Sequence, residues 1–457
     1  HLIRNYPSTV KEIRFFTSIS KGFRYPPFFI WLGTWLYWLI GSCFTKTPRY
    51  LSKKRIKAEE SVINTDNING GFEYSDAYLY DNDARFVFGF IRSALTSGCI
   101  AANYVESIHA RRNSDGYWIN EVKNTISGET FQIRAKVLIN AAGPLADRYN
   151  EIISQSTQHH LLLSKGVHLL VNRITPNKRV LTFFASDGRL FFIIPMGVRT
   201  CIGTTDTPVT VATKEVTPDD RAFILKNINA LLNLENPISE SDIISERCGV
   251  RPLVISGQAT TTPDWMQLSR KHAVEANLSE CYMTIFGGKL TDCLNVGDEV
   301  CHFVKQMGIS MPHPDYKWYG ELDDETRDRF KHHAKLMGLD ALTASDASEK
   351  LSSRLWRRYG ATAFRLLEMI QEDPDQAEVL IKGTEYIRCE LQEASKREMV
   401  TKLSDFLRRR SKIALIEHRD TIRNSAGILE ACQILFGEQA EEKLEEYFEE
   451  TEAKSSH

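Results

Sequence analysis

The segment from Met283 to Thr291 constrains the fold more than any other stretch of the chain. It reads MTIFGGKLT: a short apolar run, two consecutive glycines, a lysine and the start of a helical pattern. The apolar run predicts a buried strand, and paired glycines let a backbone approach a ligand closely because no Cβ intervenes. A helix opening after Gly287 and Gly288 would direct free N–H groups at an anion or a carbonyl-rich ring, beside the mobile charge of Lys289. Taken alone, the segment is better explained as an ordinary strand-to-helix turn with a surface lysine.

Composition limits the class of protein. A chain of 457 residues is too long for one simple core, so we expect two or more domains. Hydrophobic residues make up 42% and charged residues 25%, which is typical of a soluble globular protein, and a net charge of -2 gives no field that would attract nucleic acid. The nine cysteines form no CxxC pair and no zinc spacing, so we predict no metal site and a reducing compartment.

An aromatic stretch lies near the start of the chain. Residues Tyr25 to Phe44 read YPPFFIWLGTWLYWLIGSCF and carry no charge. The length is that of a membrane span, but two prolines and two glycines dilute the segment, and its aromatic residues run through the middle rather than forming two belts. A buried helix, or one lying at a membrane interface, is therefore favoured over a span.

Two turns and a strand supply candidate site residues. An apolar strand, Lys136 to Asn140, leads into Ala141-Ala142-Gly143-Pro144, where a nucleotide often lies in an α/β sheet, although a plain tight turn explains the pattern nearly as well. His168 lies inside a predicted strand, where a histidine is usually a satisfied core residue. Thr205 and Asp206 follow a predicted hairpin and could cap the turn or contact a ligand.

Three cationic side chains are candidates for anion binding. Gly249 and Pro252 bracket Arg251 in the run ERCGVRPLV, and a rigidly placed arginine suits bidentate contact with phosphate or carboxylate. Arg270 and Lys289 follow along the chain. The alternative, three ordinary surface cations, is not excluded by these residues alone.

The last part of the chain differs in composition. From about Pro312 glycines become sparse and charged helical patterns take over, which predicts a helical domain over residues 313–457 after a mixed α/β part over residues 1–312. The basic and acidic runs in this part are typical of solvated helix faces, and no nucleic-acid-binding motif is present.

Eight segments occur in an order that resembles one family. They read GGFEYSDAYLYDNDAR, LINAAGPLAD, SKGVHLLV, FFIIP, IGTTDTP, CGVRPLV, SRKHAV and IFGGKLT. The set resembles the FAD-dependent, quinone-linked glycerol-3-phosphate dehydrogenases. The resemblance implies an α/β (α+β) FAD-linked oxidoreductase fold of the glycine/D-amino-acid oxidase type, with a mixed-sheet substrate domain and a C-terminal helical domain that shields the active site or mediates a homodimer.

The sequence departs from that family at two places. It contains no GxGxxG, so the first βαβ unit with its ADP-binding glycines is missing, and the chain begins with His1 rather than Met. We therefore expect an N-terminally truncated piece. The second departure is Asp292-Cys293-Leu294, where the family has threonine, tyrosine and arginine.

The resemblance assigns roles to matching residues. Arg251 and Arg270 would hold the phosphate and glycerol oxygens of sn-glycerol 3-phosphate, and His168 would lie near the reacting carbon. Lys289 would lie near both substrate and flavin. The remaining residues expected near FAD are Gly143, Thr205, Asp206, Gly287, Gly288, Leu290 and Thr291. The implied reaction is oxidation to dihydroxyacetone phosphate with hydride transfer to FAD and electron transfer to a membrane quinone.

The resemblance also implies a place in the cell. It predicts a cytoplasmic protein held peripherally on the inner or mitochondrial membrane. Two alternatives remain open at this point: a flavin-free fragment or scaffold, and another flavin oxidoreductase of the same fold that acts on an amine or a 2-hydroxy acid.

Overall fold

The computed structural model describes residues 2–21, 26–185, 187–257, 271–313, 316–344, 347 and 349–455. Strands dominate up to residue 287 and helices after it. The strands are β1 (Val10–Ser20), β2 (Arg49–Leu51), β3 (Ile68–Leu79), β4 (Val105–Arg112), β5 (Trp118–Asn124), β6 (Thr130–Ala135), β7 (Leu138–Asn140), β8 (His159–Asn172), β9 (Arg179–Phe184), β10 (Leu190–Met196), β11 (Arg199–Gly203), β12 (Thr207–Val209), β13 (Ser245–Ser256), β14 (His272–Asn277) and β15 (Tyr282–Gly287).

The helices fall into two groups. Those before residue 307 are α1 (Leu2–Asn5), α2 (Pro27–Ile40), α3 (Lys53–Glu59), α4 (Asp83–Thr96), α5 (Ala146–Ile152), α6 (Pro218–Leu231) and α7 (Cys293–Gln306). Those after it are α8 (Asp324–Leu336), α9 (Leu351–Tyr359), α10 (Ala363–Glu372), α11 (Arg388–Arg397), α12 (Ile413–Ile416), α13 (Arg419–Arg423), α14 (Ile428–Phe436) and α15 (Ala440–Ser455). A π-helix covers Asp405–Arg410, and 3₁₀ turns cover Gly143–Leu145 and Leu290–Asp292.

A large mixed sheet forms the first core. Its strands follow the order β12-β8-β11-β10-β9-β1-β3-β2, and β13 pairs with β8 along its whole length. The neighbours are antiparallel except for β1 and β9, which run parallel. One face of the sheet packs against α3 and α6 through apolar side chains such as Val167, Leu169, Ile56 and Ile224. This core fixes β8, which carries candidate site residues on its other face.

A second, smaller sheet brings two of the predicted turns together. It has the order β14-β15-β7, and β15 runs parallel to β7. Parallel strands end at the same edge of a sheet, so the turn at Gly143 and the turn at Gly287 lie on one edge. A separate three-stranded antiparallel sheet, β4-β5-β6, stands beside it.

The helices after residue 324 enclose two apolar clusters of their own, one around Phe330 and Leu355 and one around Leu391 and Phe406. Buried ion pairs join these helices to the loop that starts α4. Arg85 donates to Glu398 at 2.5 Å, and Asp81 pairs with Arg357 and Arg358. Because both members of each pair are buried, these contacts fix the loop firmly against the helical part.

Several local predictions are confirmed and others are wrong. The run Thr217-Pro218-Asp219-Asp220 predicts the start of a helix, and α6 does begin after Thr217, with a reciprocal capping box. Asp83, just before an apolar helical run, is the N-cap that the sequence predicts for α4, but the side chain that caps it is Asn82: this residue has the extended backbone of a cap, and its Oδ1 accepts from the Arg85 amide at 2.7 Å. The run from Ile100 to Tyr104 predicts a strand from its sequence, but the described structure has none there, since Tyr104 has φ 56° and Ile100 is 99% exposed. The charged helical pattern from Ala426 to Glu450 predicts one helix, which is instead broken at Gly437, where φ is 60°.

Candidate functional site

One face of the β8–β13 pair carries the candidate site. In the antiparallel register His168 lies opposite Arg247, Gly166 opposite Gly249, and Ser164 opposite Arg251. Directly paired residues project to the same face, and that face alternates along each strand. The side chains of His168, Arg247, Arg251 and Ser164 therefore share one face, with two glycines between the arginines. The Arg251 guanidinium lies over Gly166, and the missing Cβ of Gly249 leaves a hollow beside it among the described residues.

Arg251 is held by the segment that follows β11. Its Nη2 donates to Thr204 Oγ1 at 3.0 Å, and its Nη1 lies 3.3 Å from Asp206 Oδ1. Asp206 is itself fixed by a hydrogen bond from the Ser164 hydroxyl. A Cβ at Gly166 would lie only 2.4 Å from Arg251 Nη1, so glycine is required there for the guanidinium to occupy this place.

Thr205 anchors the segment that follows β11 to strand β8. Its hydroxyl accepts a hydrogen bond from the Val167 amide at 2.9 Å, and the residue is 2% exposed. Thr205 therefore orients Thr204 and Asp206 and does not itself face the hollow.

His168 is unprotonated at neutral pH. Burial lowers its pKa, the positive charges of Arg247 and Arg251 lower it further, and the pKa reaches about 4. Asp83 opposes this shift. Gly203 lies opposite His168 on β11, and a Cβ there would be 3.1 Å from the imidazole Cδ2, so a glycine again makes room for a site side chain. A neutral imidazole in this position can accept a proton or a hydrogen bond.

The glycine turn after β15 packs directly against β13. Gly287 has φ 63° and Gly288 φ 94°, both in the left-handed region that favours glycine. A Cβ on Gly287 would lie 3.4 Å from Pro252 O and in contact with Val254, so the turn lies beside the residues that follow Arg251. Lys289 is exposed at the end of this turn. The 3₁₀ turn with Leu290 and Thr291 then leads into α7.

His272 lies between two carboxylates, those of Asp292 and Glu299, and its contact with Asp292 stabilises that turn. His272 Nδ1 lies 2.6 Å from Asp292 Oδ2, and its Nε2 lies 2.9 Å from Glu299 Oε2. Burial lowers the pKa of His272, but the two carboxylate contacts outweigh burial and raise it above its ordinary value. Asp292 makes no side-chain cap to α7; the 3₁₀ turn runs directly into that helix, and the Cys293 amide donates to Leu290 O. The departure at Asp292 thus has a structural role in this chain.

A cavity between α4 and the helical part touches the site at two residues, Asp83 and Leu290. It has a volume of about 610 Å³ and is mostly apolar. Leu290, which follows Lys289, lines it together with Asp83, whose carboxylate pairs with Arg247 at 3.2 Å. Arg409 and Arg410 from the helical part complete its wall.

The predicted residues are thus partly brought together. Arg251, His168, Thr205 and Asp206 cluster on β8, β13 and the end of β11, while Gly143, Gly287, Gly288, Lys289, Leu290 and Thr291 lie along the adjoining edge of the small sheet. Arg270 lies outside the described residues. Sequence reasoning did not single out Arg247, although the alternation Arg247, Gly249, Arg251 already assigned it to the face of Arg251. Within the described residues, no group of three or more His, Cys, Asp or Glu side chains could hold a metal ion.

This architecture, a large mixed sheet beside a parallel edge that ends in glycine turns, is that of a flavin-dependent oxidoreductase. Residues 39–272 match the family described as FAD dependent oxidoreductase, and residues 322–443 match the C-terminal domain of alpha-glycerophosphate oxidase. The chain belongs to the FAD-dependent oxidoreductase family.

Named relatives make the likeness more specific. The aerobic glycerol-3-phosphate dehydrogenase of Staphylococcus epidermidis is 29% identical over 449 residues, which cover 95% of this chain and 78% of that protein. The mitochondrial glycerol-3-phosphate dehydrogenase of Bos taurus is 29% identical over 309 residues, 65% of this chain and 41% of that protein. The crystal structure of the glycerol-3-phosphate dehydrogenase from Bacillus halodurans complexed with FAD has the same fold, with a TM-score of 0.71 and 23% identity over 99% of this chain and 83% of that one.

These findings confirm the predicted resemblance, fold class, oxidoreductase class and FAD cofactor. The residues present fit the ring end of FAD: among the described residues nothing fills the place of a Cβ on Gly143, and Gly287 and Gly288 take left-handed backbone at the same edge of the sheet. No GxGxxG for the pyrophosphate occurs in the 457 residues.

Proposed function

We propose that this chain oxidises the secondary alcohol of sn-glycerol 3-phosphate to dihydroxyacetone phosphate. The observation that carries the proposal is the shared face of β8 and β13, which presents Arg251 and the neutral imidazole of His168, while the glycine turn before Lys289 packs on the part of β13 that follows Arg251. The names of the relatives support the choice of substrate. A paired set of cationic side chains favours a phosphorylated substrate over an amine.

Each polar side chain has a defined part in the proposed reaction. Arg251 binds the dianionic substrate and polarises the oxygen that becomes the ketone. His168 accepts the hydroxyl proton at a ring nitrogen, which is available because the imidazole is unprotonated at neutral pH. A dianion between the arginines offsets their charge and thereby raises the proton affinity of His168 as substrate binds. Lys289 and Arg270 add positive charge around the substrate.

FAD, when bound, supplies the hydride acceptor and passes the electron pair to a membrane quinone. Gly143, Gly287, Gly288, Leu290 and Thr291 would hold its ring through main-chain groups.

Helix α2 supports attachment to a membrane surface. Its apolar side chains point outward: Phe28 is 62% exposed, Leu36 57% and Ile40 75%. An exposed apolar patch of this kind marks an interaction site, and aromatic residues favour the lipid interface. No helix in the described part of the chain combines the length and apolarity that a membrane crossing needs. We therefore propose a peripheral protein on the cytoplasmic face of the inner membrane, or on the mitochondrial membrane, which forms a homodimer. Salt together with detergent should release it from the membrane.

A visible spectrum of the purified chain tests the proposal. Yellow protein that is bleached by sn-glycerol 3-phosphate supports it. Colourless protein that cannot be reconstituted with FAD would favour a flavin-free scaffold, and bleaching by an amine or a 2-hydroxy acid instead would favour another oxidoreductase of this fold. In the holoenzyme, Arg251→Ala should raise KM and lower kcat; unchanged kinetics would remove Arg251 from the site.

A further inference from the structure

Arg247 occupies a position that the proposed reaction has not used. It lies directly opposite His168 and on the same face of β13 as Arg251, with Gly249 between the two arginines. Among the described residues, apart from its two chain neighbours, no heavy atom lies within 4 Å of the place where a Cβ on Gly249 would be. The space above Gly249 is therefore open, and the Arg251 guanidinium lies beside it, over Gly166.

Asp83 is the present partner of Arg247, and a bound anion could replace it. Arg247 Nη2 lies 3.2 and 3.3 Å from the two carboxylate oxygens of Asp83. The pair is partly exposed, with 33% of the Arg247 side chain and 57% of the Asp83 side chain accessible, so solvent screens it. Asp83 also has an alternative environment in the first turn of α4, where a carboxylate is favoured by the helix dipole.

Arg247 and Arg251 both lie beside a carboxylate. Arg251 lies beside Asp206 as Arg247 lies beside Asp83, so each guanidinium has a carboxylate neighbour when no anion is bound. A phosphate dianion offers several acceptor oxygens to both guanidinium forks and forms stronger charge-assisted hydrogen bonds than an exposed carboxylate.

We infer that Arg247 is a second phosphate-binding residue, which gives up Asp83 to contact the dianion held by Arg251. The inference rests on the proposed function for the identity of the ligand, a small phosphorylated alcohol. Asp83 is then a competitor whose charge weakens binding and restricts the site to dianions.

A purely structural role for the Arg247–Asp83 pair predicts effects on stability and none on phosphate binding. The pair joins α4 to β13, so loss of either side chain would lower stability and leave phosphate binding alone. Phosphate competition instead predicts effects of opposite sign for the two residues.

Titration calorimetry with inorganic phosphate on the full chain as isolated distinguishes these roles. Arg247→Gln should weaken phosphate binding about 10-fold or more. Asp83→Asn should strengthen it by about 2- to 5-fold because the competing charge is removed. Arg221→Gln is the matched control: Arg221 pairs with Glu246 on the opposite face of β13, at 2.6 Å, and its loss should leave phosphate affinity unchanged. Should Arg247→Gln fail to fold, Arg247→Lys and Asp83→Asn decide the question.

Unchanged affinity in both Arg247→Gln and Asp83→Asn, or a change of the same sign in both, would overturn the inference. Its failure is separable from that of the proposed function. Flavin reduction by sn-glycerol 3-phosphate with phosphate affinity insensitive to both variants retains the reaction and rejects the Arg247 site. The expected phosphate response without flavin reduction retains the site and rejects the reaction.

Discussion

Gly166→Ala is the sharpest test of how the site is built. The new Cβ would lie 2.4 Å from Arg251 Nη1 and 2.6 Å from Cζ, where ordinary contact needs at least about 3.4 Å. The guanidinium must therefore move by about 1 Å. A shift of that size breaks its 3.0 Å hydrogen bond to Thr204 Oγ1 and displaces it from the position in which we propose that it binds substrate.

The expected consequence is loss of activity without loss of the fold. A misplacement of about 1 Å at a positioning group costs roughly 100-fold in rate, or about 2.7 kcal/mol. Stability should change by less than about 1 kcal/mol, because a flexible side chain absorbs the clash and alanine reduces the entropy of the unfolded chain. The φ angle of Gly166 is not in the left-handed region, so alanine fits the backbone.

The assay follows flavin reduction by sn-glycerol 3-phosphate in the holoenzyme, together with thermal unfolding. Gly89→Ala is the matched control and should keep full activity, because Gly89 lies in α4 and an added Cβ there would meet no other described residue within 4 Å beyond its own helix. A Gly166→Ala enzyme with normal kcat/KM would refute the placement of Arg251 at the substrate. An unfolded variant would refute the argument that the clash is absorbed by the side chain.

Three further outcomes are expected. Since the pKa of His168 is lowered to about 4, the unfolded chain binds a proton between about pH 6.5 and 4 that the folded chain does not. Stability should therefore fall by up to about 3 kcal/mol as pH falls from about 6.5 through 4. Urea unfolding at each pH measures this, and the free energy of unfolding should depend less on pH in His168→Asn. Arg85→Met removes the closest cation of buried Glu398 among the described residues and leaves Arg92 at 3.8 Å, so it should cost about 3 kcal/mol in urea unfolding; Arg85→Met combined with Glu398→Gln should recover part of it, and no recovery would contradict a charge effect. Leu36→Glu should reduce sedimentation with anionic liposomes, whereas Ile100→Glu, at another exposed apolar residue, should not; equal loss would contradict a surface centred on α2.

Local patterns predict the secondary structure around the site well. The strand before Gly287, the glycine turn and the start of α6 after Thr217 each depend on neighbours within a few residues, so periodicity and capping identify them. The failures have local causes as well. Tyr104 adopts a left-handed backbone that its type does not favour, and it ends the extended run predicted for residues 100–104.

The site itself depends on long-range pairing that spacing alone does not supply. Arg247 and Asp83 are 164 residues apart, and the register that aligns Arg247 with His168 is set by the whole β8–β13 ladder. A slip of one residue would move Arg251 to the opposite face. Motif order identified the family, but the partners of each arginine required the fold. The roles of the site residues and the division near residue 312 stay predictions.

The alternation along β8 explains why the helical part matters to the site. Val167, Leu169 and Val171 face the core under α6, whereas Gly166, His168 and Leu170 face the other way. Leu170 and Cys201 are covered by Leu415 of α12, and Ser245 Oγ donates to Leu415 O at 2.6 Å. The site face is thus closed at one end by the C-terminal helices. Without them the apolar end of this face would meet water and the β13 register would lose a support, so the helical part helps to maintain the geometry of Arg247 and Arg251.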